Sequence, residues 1–474
     1  MIKNVLLLSP LMLLAIKGYA DDRPNIIFLF ADDHSYYDVG AYGNDEVQTP
    51  NLDRLARKGA LFTHAYNMGS WSPAVCIPSR TMLQTGKSVW NTRRYDVDQW
   101  IADGRYWPQL LSAAGYNTYM TGKWHLQGLD ANDVYQTVRN QCPGMPNQTP
   151  AGYNRPSLPS QEDPWSPYDT SFEGFWRGGK HWSEVMVDDF EIMLDDAVEK
   201  ETPFFMFVSF NAPHDPRQAP QEFVEMYPQE NIRIPENYLP EYPYNEEIGS
   251  GRGLRDERLA PFPRTPYATR VQRSEFYAIT THMDHQIGRM LRALEAAGIK
   301  DNTWIVFSAD HGLAVGQHGL MGKQNMYDHS LRVPFIIVGP GAPQGQILRA
   351  PIYFQDVMPT VLELANAEVP DYVEFNSLLP FLRGQRKASY YDAIYGAYRD
   401  HQRAVIHDDY KLIAYPEAKV LRLYNLANDP YEIIDLAGDD GQQPRIRDLM
   451  QRLQSLQHQF NDRLDLAEAF PDWF

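Results

Sequence analysis

Four apolar runs, each closing on polar or turn-forming residues, constrain this chain more than any other feature. Residues 25–30 run into Asp32-Asp33, 204–210 into Asn211-Ala212-Pro213-His214, 303–309 into Asp310-His311-Gly312, and 333–338 into Gly339-Pro340. Apolar runs without polar alternation suit strands covered on both faces of a sheet. Helical patterns lie between them, notably over residues 107–114 and 272–297, and such alternation predicts an α/β fold. In open α/β sheets ligands gather beyond the carboxyl ends of the strands. A single site drawing on Asp32, Asp33, His214, Asp310 and His311 is therefore topologically sound.

The chain has 474 residues, enough for one large catalytic domain and a smaller partner. Its 43% hydrophobic and 13% aromatic content supports a packed core and excludes a disordered chain. Residues 142–182 and 213–266 are long, proline-rich and aromatic, and read as ordered loops that roof a site. The texture changes near the end. Short alternating runs over 404–406, 410–414 and 420–424 predict antiparallel strands, and 444–464 reads as a charged amphipathic helix. A smaller C-terminal α+β subdomain is expected to begin between Arg383 and Asp400, which divides the chain into 21–385 and 386–474.

The first twenty residues form an address. Lys3 supplies a charged start, residues 5–16 a mostly apolar run, and Gly18-Tyr19-Ala20 a small-x-small cleavage signal before Asp21-Asp22. The run is too short for a membrane span, and no cysteine follows it to carry a lipid. The expectation is a signal peptide over 1–20 and an exported bacterial protein, periplasmic or secreted, with no membrane span after cleavage. The formal net charge of −18 disfavours nucleic acid as a partner, since a nucleic-acid binder needs a basic surface. It leaves room for a small cationic pocket, because bulk charge is screened within about 10 Å. Cys76 and Cys142 are the two cysteines; one pair is no framework for a chain this size, and both read as unpaired.

Cys76-Ile77-Pro78-Ser79-Arg80, continuing to Thr85-Gly86, resembles the motif that directs conversion of cysteine to formylglycine in type I sulfatases. Ile77 and Gln84 depart from the usual pattern. Gly115-Tyr116-Asn117-Thr118 and Gly122-Lys123-Trp124-His125 are similar to the second signature of that family, with Thr121 a mild departure. Asp32-Asp33, His214 in Ala212-Pro213-His214-Asp215, Asp310-His311-Gly312 and Lys323 in Gly322-Lys323 match further family positions. So do Tyr410-Lys411-Leu412-Ile413, Tyr424-Asn425-Leu426 and Asp429-Pro430-Tyr431-Glu432. Over roughly residues 23 to 440 the chain resembles the formylglycine-dependent sulfatases of the alkaline-phosphatase-like superfamily.

That resemblance implies a large mixed central sheet flanked by helices, a Ca²⁺ ion, and maturation of Cys76 by a formylglycine-generating enzyme. It implies metal ligation by Asp32, Asp33, modified Cys76, Asp310 and His311. Three carboxylates make a hard oxygen site suited to calcium, and a cation among them relieves their mutual repulsion. His311 stands where many members carry asparagine, and is either a ligand or a sulfate contact. By the same analogy one hydroxyl of the hydrated aldehyde, polarised by the metal and Arg80, attacks sulfur. His214, with Lys323, protonates the departing alcohol, and the second hydroxyl gives its proton to His125 as sulfate leaves. A serine has no second hydroxyl on the same carbon and is unable to finish this way. Lys123 and Lys323 meet sulfate oxygens as point charges.

The leading expectation is a sulfatase acting on a sulfated polysaccharide or its oligosaccharides. The stretch from His214 through Arg217, Tyr238 and Tyr244 looks similar to marine-polysaccharide sulfatases, including those acting on carrageenans. Trp165, Trp176, Trp182, Tyr238 and Tyr242 either stack on sugar rings or pack loops onto the core. Two other readings compete: a phosphoesterase or phosphonate monoester hydrolase of the same superfamily, and a non-catalytic binder of sulfated glycans. The presence of Cys76, Arg80, Lys123, His125 and His214 together argues against the binder.

Overall fold

The computed structural model describes residues 22–142, 144–145 and 149–473; the expected signal peptide lies outside the described residues. Eight strands form the central sheet: β1 (Asn25–Ala31), β2 (Ala60–Phe62), β3 (Asn117–Lys123), β4 (Thr137–Cys142), β5 (Phe204–Ser209), β6 (Thr303–Ala309), β7 (Phe335–Val338) and β8 (Gln346–Leu348). Their spatial order is β8-β2-β7-β6-β1-β5-β3-β4. β6, β1, β5, β3 and β4 run parallel, whereas β7 lies antiparallel to both β6 and β2. The sheet is therefore mixed, as the resemblance implies.

Register decides where the site forms. Ala31 lies opposite Ala309, and Phe30 lies opposite both Ser308 and Ser209. The three central strands thus end at one level. Asp310 N donates to Ala31 O at 3.2 Å, Asp32 N to Ala212 O at 3.1 Å and Phe210 N to Phe30 O at 2.7 Å. These bonds carry the parallel ladder one step beyond the strands, where the polar clusters begin. Phe28, Phe30, Phe207 and Trp107 pack ring against ring on one face of this region. Each such buried side chain contributes about 2–3 kcal/mol, so the site stands on a stiff base.

The helices that matter are α1 (Cys76–Thr85), α2 (Trp107–Ala113), α3 (Trp182–Glu199) and α4 (Pro266–Ala296). All ten residues of α1 are buried, and Gly86 ends it at φ 69°, its N–H bonded to Met82 O. A left-handed residue at that position favours glycine. α4 starts six residues earlier than the periodicity predicts, because Pro266 occupies its first turn and the Thr265 hydroxyl accepts from Ala268 N at 3.1 Å.

The C-terminal subdomain holds β9 (Ile394–Tyr398), β10 (Gln402–His407), β11 (Tyr410–Tyr415) and β12 (Val420–Asn425), with α5 (Gln443–Gln459) against β10. β9 to β12 pair antiparallel, as the alternating runs predict for the last three. Sequence reasoning missed β9, and with it the tie to the main body: β9 pairs in parallel with Gly69–Ser70, just ahead of α1. Among the described residues no helix is long and apolar enough to cross a membrane. Cys76 and Cys142 are both buried and unpaired.

Candidate active site

The site begins with a backbone irregularity. Along a continuing strand Asp32 and Asp33 would face opposite sides, but Asp33 adopts φ 63°, a left-handed conformation that aspartate tolerates better than most residues. Both carboxylates consequently converge on one atom: Cys76 Sγ lies 3.3 Å from Asp32 Oδ1 and 3.6 Å from Asp33 Oδ1.

Cys76 opens α1, and Arg80 follows one turn later on the same face. Arg80 Nε donates to Asp310 Oδ2 at 2.8 Å, and its Nη1 donates to Lys123 O at 2.8 Å and Ser209 Oγ at 2.7 Å. Its Nη2 lies 3.9 Å from Asp32 Oδ1 and has no hydrogen-bond partner among the described residues. Lys123, the last residue of β3, pairs with Asp32, while Lys323 Nζ lies 2.5 Å from Asp33 Oδ2. Asp310 Oδ1 accepts from Asp33 N at 3.1 Å. Each of these charged groups is at least 97% buried, so every charge faces an opposite one.

His214 is oriented from both sides. Its Nδ1 lies 2.8 Å from Asp215 O and 3.0 Å from Asp215 Oδ1. Its Nε2 lies 3.1 Å from Lys323 Nζ and 3.4 Å from Arg255 Nη2, two donors with no lone pair to offer. The two Asp215 acceptors place a proton on Nδ1, while Nε2 faces these donors and Asp33 Oδ2 at 3.4 Å. His311 Nδ1 lies 2.7 Å from Gly312 O, which places that ring's proton on Nδ1 and leaves the lone pair on Nε2.

Electrostatics follow from burial. Desolvation, then the Asp310 carboxylate, pushes the Cys76 thiol well above its usual range despite Lys123 and Lys323. Burial alone would raise Asp310; Arg80, Lys123 and Lys323 outweigh it and hold that carboxyl below the ordinary range. Burial, then Lys123, Arg80 and Lys323, lowers His125 to about 2. Burial lowers His311 to about 4. Both imidazoles are neutral at physiological pH.

Ligand-capable atoms of Asp32, Asp33, Cys76 and His214 lie within 4.8 Å of one another, all buried. Sequence reasoning placed Asp310 and His311 in the metal set and His214 outside it. Asp310 is outside this group, its oxygens engaged by Arg80 Nε and Asp33 N. Carboxylates dominate the donor set, and this chemistry fits a hard divalent cation.

A cavity of about 500 Å³ opens over Cys76, Lys123, His125, His214 and Lys323. All six expected catalytic side chains are thus brought together, with Arg80 beneath. Gly144 and Met145 from one predicted roof loop, and Leu254, Arg255 and Asp256 from the other, line the same cavity. Sequence reasoning missed Asp215, Arg255, Asp256 and Gln324. Asp215 was visible only as the neighbour of His214, and the other three lie where no periodicity exists. The aromatic residues named above pack instead of lining this cavity. Trp165 lies 5.1 Å from Phe172, and the Tyr242 hydroxyl meets those of Tyr327 at 2.9 Å and Tyr415 at 3.0 Å.

The sulfatase family profile matches residues 24–367, and the profile described as N-sulphoglucosamine sulphohydrolase, C-terminal, matches residues 316–459. An ulvan-active sulfatase of Formosa agariphila is 29% identical over 76% of this chain, which spans 65% of that relative's length. An N-acetylglucosamine-6-O-sulfatase of Bacteroides thetaiotaomicron is 27% identical over 96% of this chain and 91% of its own. The solved phosphonate monoester hydrolase of Agrobacterium radiobacter superposes with a TM-score of 0.74 at 22% identity, over 92% of this chain and 96% of its own. The fold is shared across these activities.

Proposed function

The chain belongs to the sulfatase family, and from that premise we propose that it hydrolyses sulfate esters on a polysaccharide or its oligosaccharides, with residue 76 oxidised to formylglycine. One observation carries the reading: Cys76 stands at the meeting point of two carboxylates and an ammonium, under a cavity that also holds His125 and His214. A disulfide-free thiol in this position has no evident structural task, whereas an aldehyde hydrate there faces every group the reaction needs.

Asp32, Asp33, Asp310 and His311, with residue 76, would hold Ca²⁺, which when bound adds positive charge against the sulfate oxygens. In its hydrated formylglycine form residue 76 supplies two hydroxyls on one carbon, one to attack sulfur and one to expel sulfate afterwards. Lys123 and Lys323 bind the sulfate oxygens, and Arg80 fixes the carboxylate floor while its free Nη2 points a donor toward Asp32. His214, its Nδ1 anchored on Asp215, moves a proton between Lys323 and the leaving alcohol at Nε2. His125, which lines the cavity beside Lys123, accepts the proton released when sulfate departs. Export as a periplasmic or secreted protein, and maturation by a formylglycine-generating enzyme, complete the reading.

The ulvan and N-acetylglucosamine relatives support a sulfated glycan as the substrate class, and carrageenan is one member to include. The test is sulfate release from carrageenans, fucoidan, ulvan and glycosaminoglycans by protein co-produced with a formylglycine-generating enzyme. Turnover of one glycan class, lost in Cys76→Ala, supports the proposal. Faster hydrolysis of 4-nitrophenyl phosphate or a phosphonate monoester than of 4-nitrophenyl sulfate overturns it in favour of the phosphonate-type reading.

A further inference from the structure

A second cavity, of about 600 Å³, shares no lining residue with the one over Cys76. It is built where residues 36–46, which follow the Asp32-Asp33 turn, meet residues 233–237, Arg273 of α4, and the Pro430-Tyr431 step of the C-terminal motif. Nothing in the proposed reaction uses it. Three features define what it takes.

The first is an aromatic ladder along one wall. The Arg332 guanidinium lies 3.8 Å from the Tyr36 ring, Tyr36 stacks on Tyr37 at 4.2 Å, and Tyr37 lies parallel to Tyr431 at 5.8 Å. Tyr37 Oη donates to Pro430 O at 2.6 Å, which locks the ladder to the C-terminal motif. Tyr431 at its outer end is 36% exposed. Flat, amphipathic faces of this kind accept apolar C–H surfaces while their edges stay wet.

The second is charge. Asp38, Asp45, Glu46 and Glu236 line the cavity with Arg233, Arg273 and Arg332. The arginines are already engaged: Arg233 by Asp45 and Glu46, Arg273 by Glu46 at 3.8 Å, and Arg332 by Asp328 at 3.2 Å. Four carboxylates against three arginines leave this lining without the excess of positive charge that a sulfate group needs.

The third is a pair of unmet hydrogen-bonding atoms. Arg273 and Asn237, 8% and 6% exposed, both line the cavity. Arg273 Nε and Asn237 Oδ1 have no partner among the described residues. Asn237 Nδ2 donates to Tyr431 O at 2.8 Å, so its Oδ1 is the free acceptor. One buried donor without an acceptor and one buried acceptor without a donor are costly. Hydroxyl groups donate and accept, and so match an unmet donor and an unmet acceptor alike.

We propose that this cavity is a second carbohydrate site that binds an uncharged, hydroxyl-rich sugar unit, with Tyr431 as its stacking face and Arg273 and Asn237 as its hydroxyl contacts. Its preference for uncharged sugar is independent of catalysis. That the sugar belongs to the polymer being desulfated rests on the reading above.

The test is an array of matched sulfated and desulfated oligosaccharides from galactans, fucans, ulvan and glycosaminoglycans, probed with the full mature chain carrying Cys76→Ala. Expected is binding to at least one desulfated member that weakens tenfold or more in Tyr431→Ala and stays within twofold in Tyr431→Trp, at unchanged thermal midpoint. No binding to any desulfated member overturns the proposal. So does binding indifferent to Tyr431→Ala. Failure of the sulfatase reading is seen separately, as absent turnover by the mature Cys76 protein, and leaves the array result untouched.

Discussion

Lys323 Nζ stands 3.2 Å from Cys76 Sγ, so a loop beyond β6 sets an ammonium against the first residue of α1. The same ammonium touches Asp33 and His214, and these contacts make Lys323 the hinge between the carboxylate floor and the cavity. Burial opposes its charge, but Asp33, Cys76 and Asp256 raise its affinity for the proton well above the usual value.

Lys323→Met removes that charge without removing bulk. The expected result is a loss of about 10²-fold or more in kcat/KM for 4-nitrophenyl sulfate, the scale of losing one preorganised charge contact. Lys323→Arg should restore little, because a planar fork does not replace a compact ammonium between three partners. Steady-state rates of the two variants check this.

His214→Asn should separate substrates by their leaving groups. A sugar alcohol needs a proton as it departs, so a loss of about 10²–10⁴-fold is expected there. Nitrophenolate leaves without one, and 4-nitrophenyl sulfate should lose far less. Equal losses on both substrates would remove His214 from the proton path.

The C-terminal sheet is held by a buried ion triad: Lys411 Nζ lies 2.5 Å from Asp328 Oδ1 and 2.7 Å from Glu432 Oε1. Lys411→Met leaves Glu432 buried without a cation and Asp328 with Arg332 alone, and the expected cost is about 3–5 kcal/mol. Adding Asp328→Asn and Glu432→Gln should recover part of it. Urea unfolding midpoints of the single and triple variants decide the matter.

His282 is buried in α4, and burial lowers it from 6.5 to about 3. A histidine whose folded value is depressed stabilises the fold above its unfolded value and loses that contribution as pH falls towards the folded one. Between pH 6.5 and 3 stability should therefore fall with acid, by about 1.4 kcal/mol per pH unit for this group. His282→Phe should flatten the slope of urea-unfolding free energy against pH in that window and leave the slope above pH 7 unchanged.

Much of this was legible in the sequence, and the reasons differ by element. β1, β5 and β6 were visible because strands buried on both faces must be continuously apolar. The polar clusters behind them marked the site because the parallel register ends those strands at one level. β9 was not legible, since residues 394–398, held between β10 and Gly69–Ser70, are buried throughout and lack the alternation that marked the strands after it. Arg255 and Asp256 were hidden for a similar reason: an irregular loop carries no period, and its place over His214 comes from tertiary packing alone. The aromatic loops left two readings open in the sequence, and Tyr242 takes the packing one, its hydroxyl spent on Tyr327 and Tyr415.

The central claim is that an aldehyde at residue 76 drives sulfate ester hydrolysis. The most direct measurement is the turnover rate of 4-nitrophenyl sulfate against the fraction of residue 76 converted to formylglycine, read by peptide mass spectrometry across preparations of varied maturation. The account predicts a line through the origin, with Cys76→Ala at zero. A rate that ignores the converted fraction, or that survives in Cys76→Ala, contradicts it.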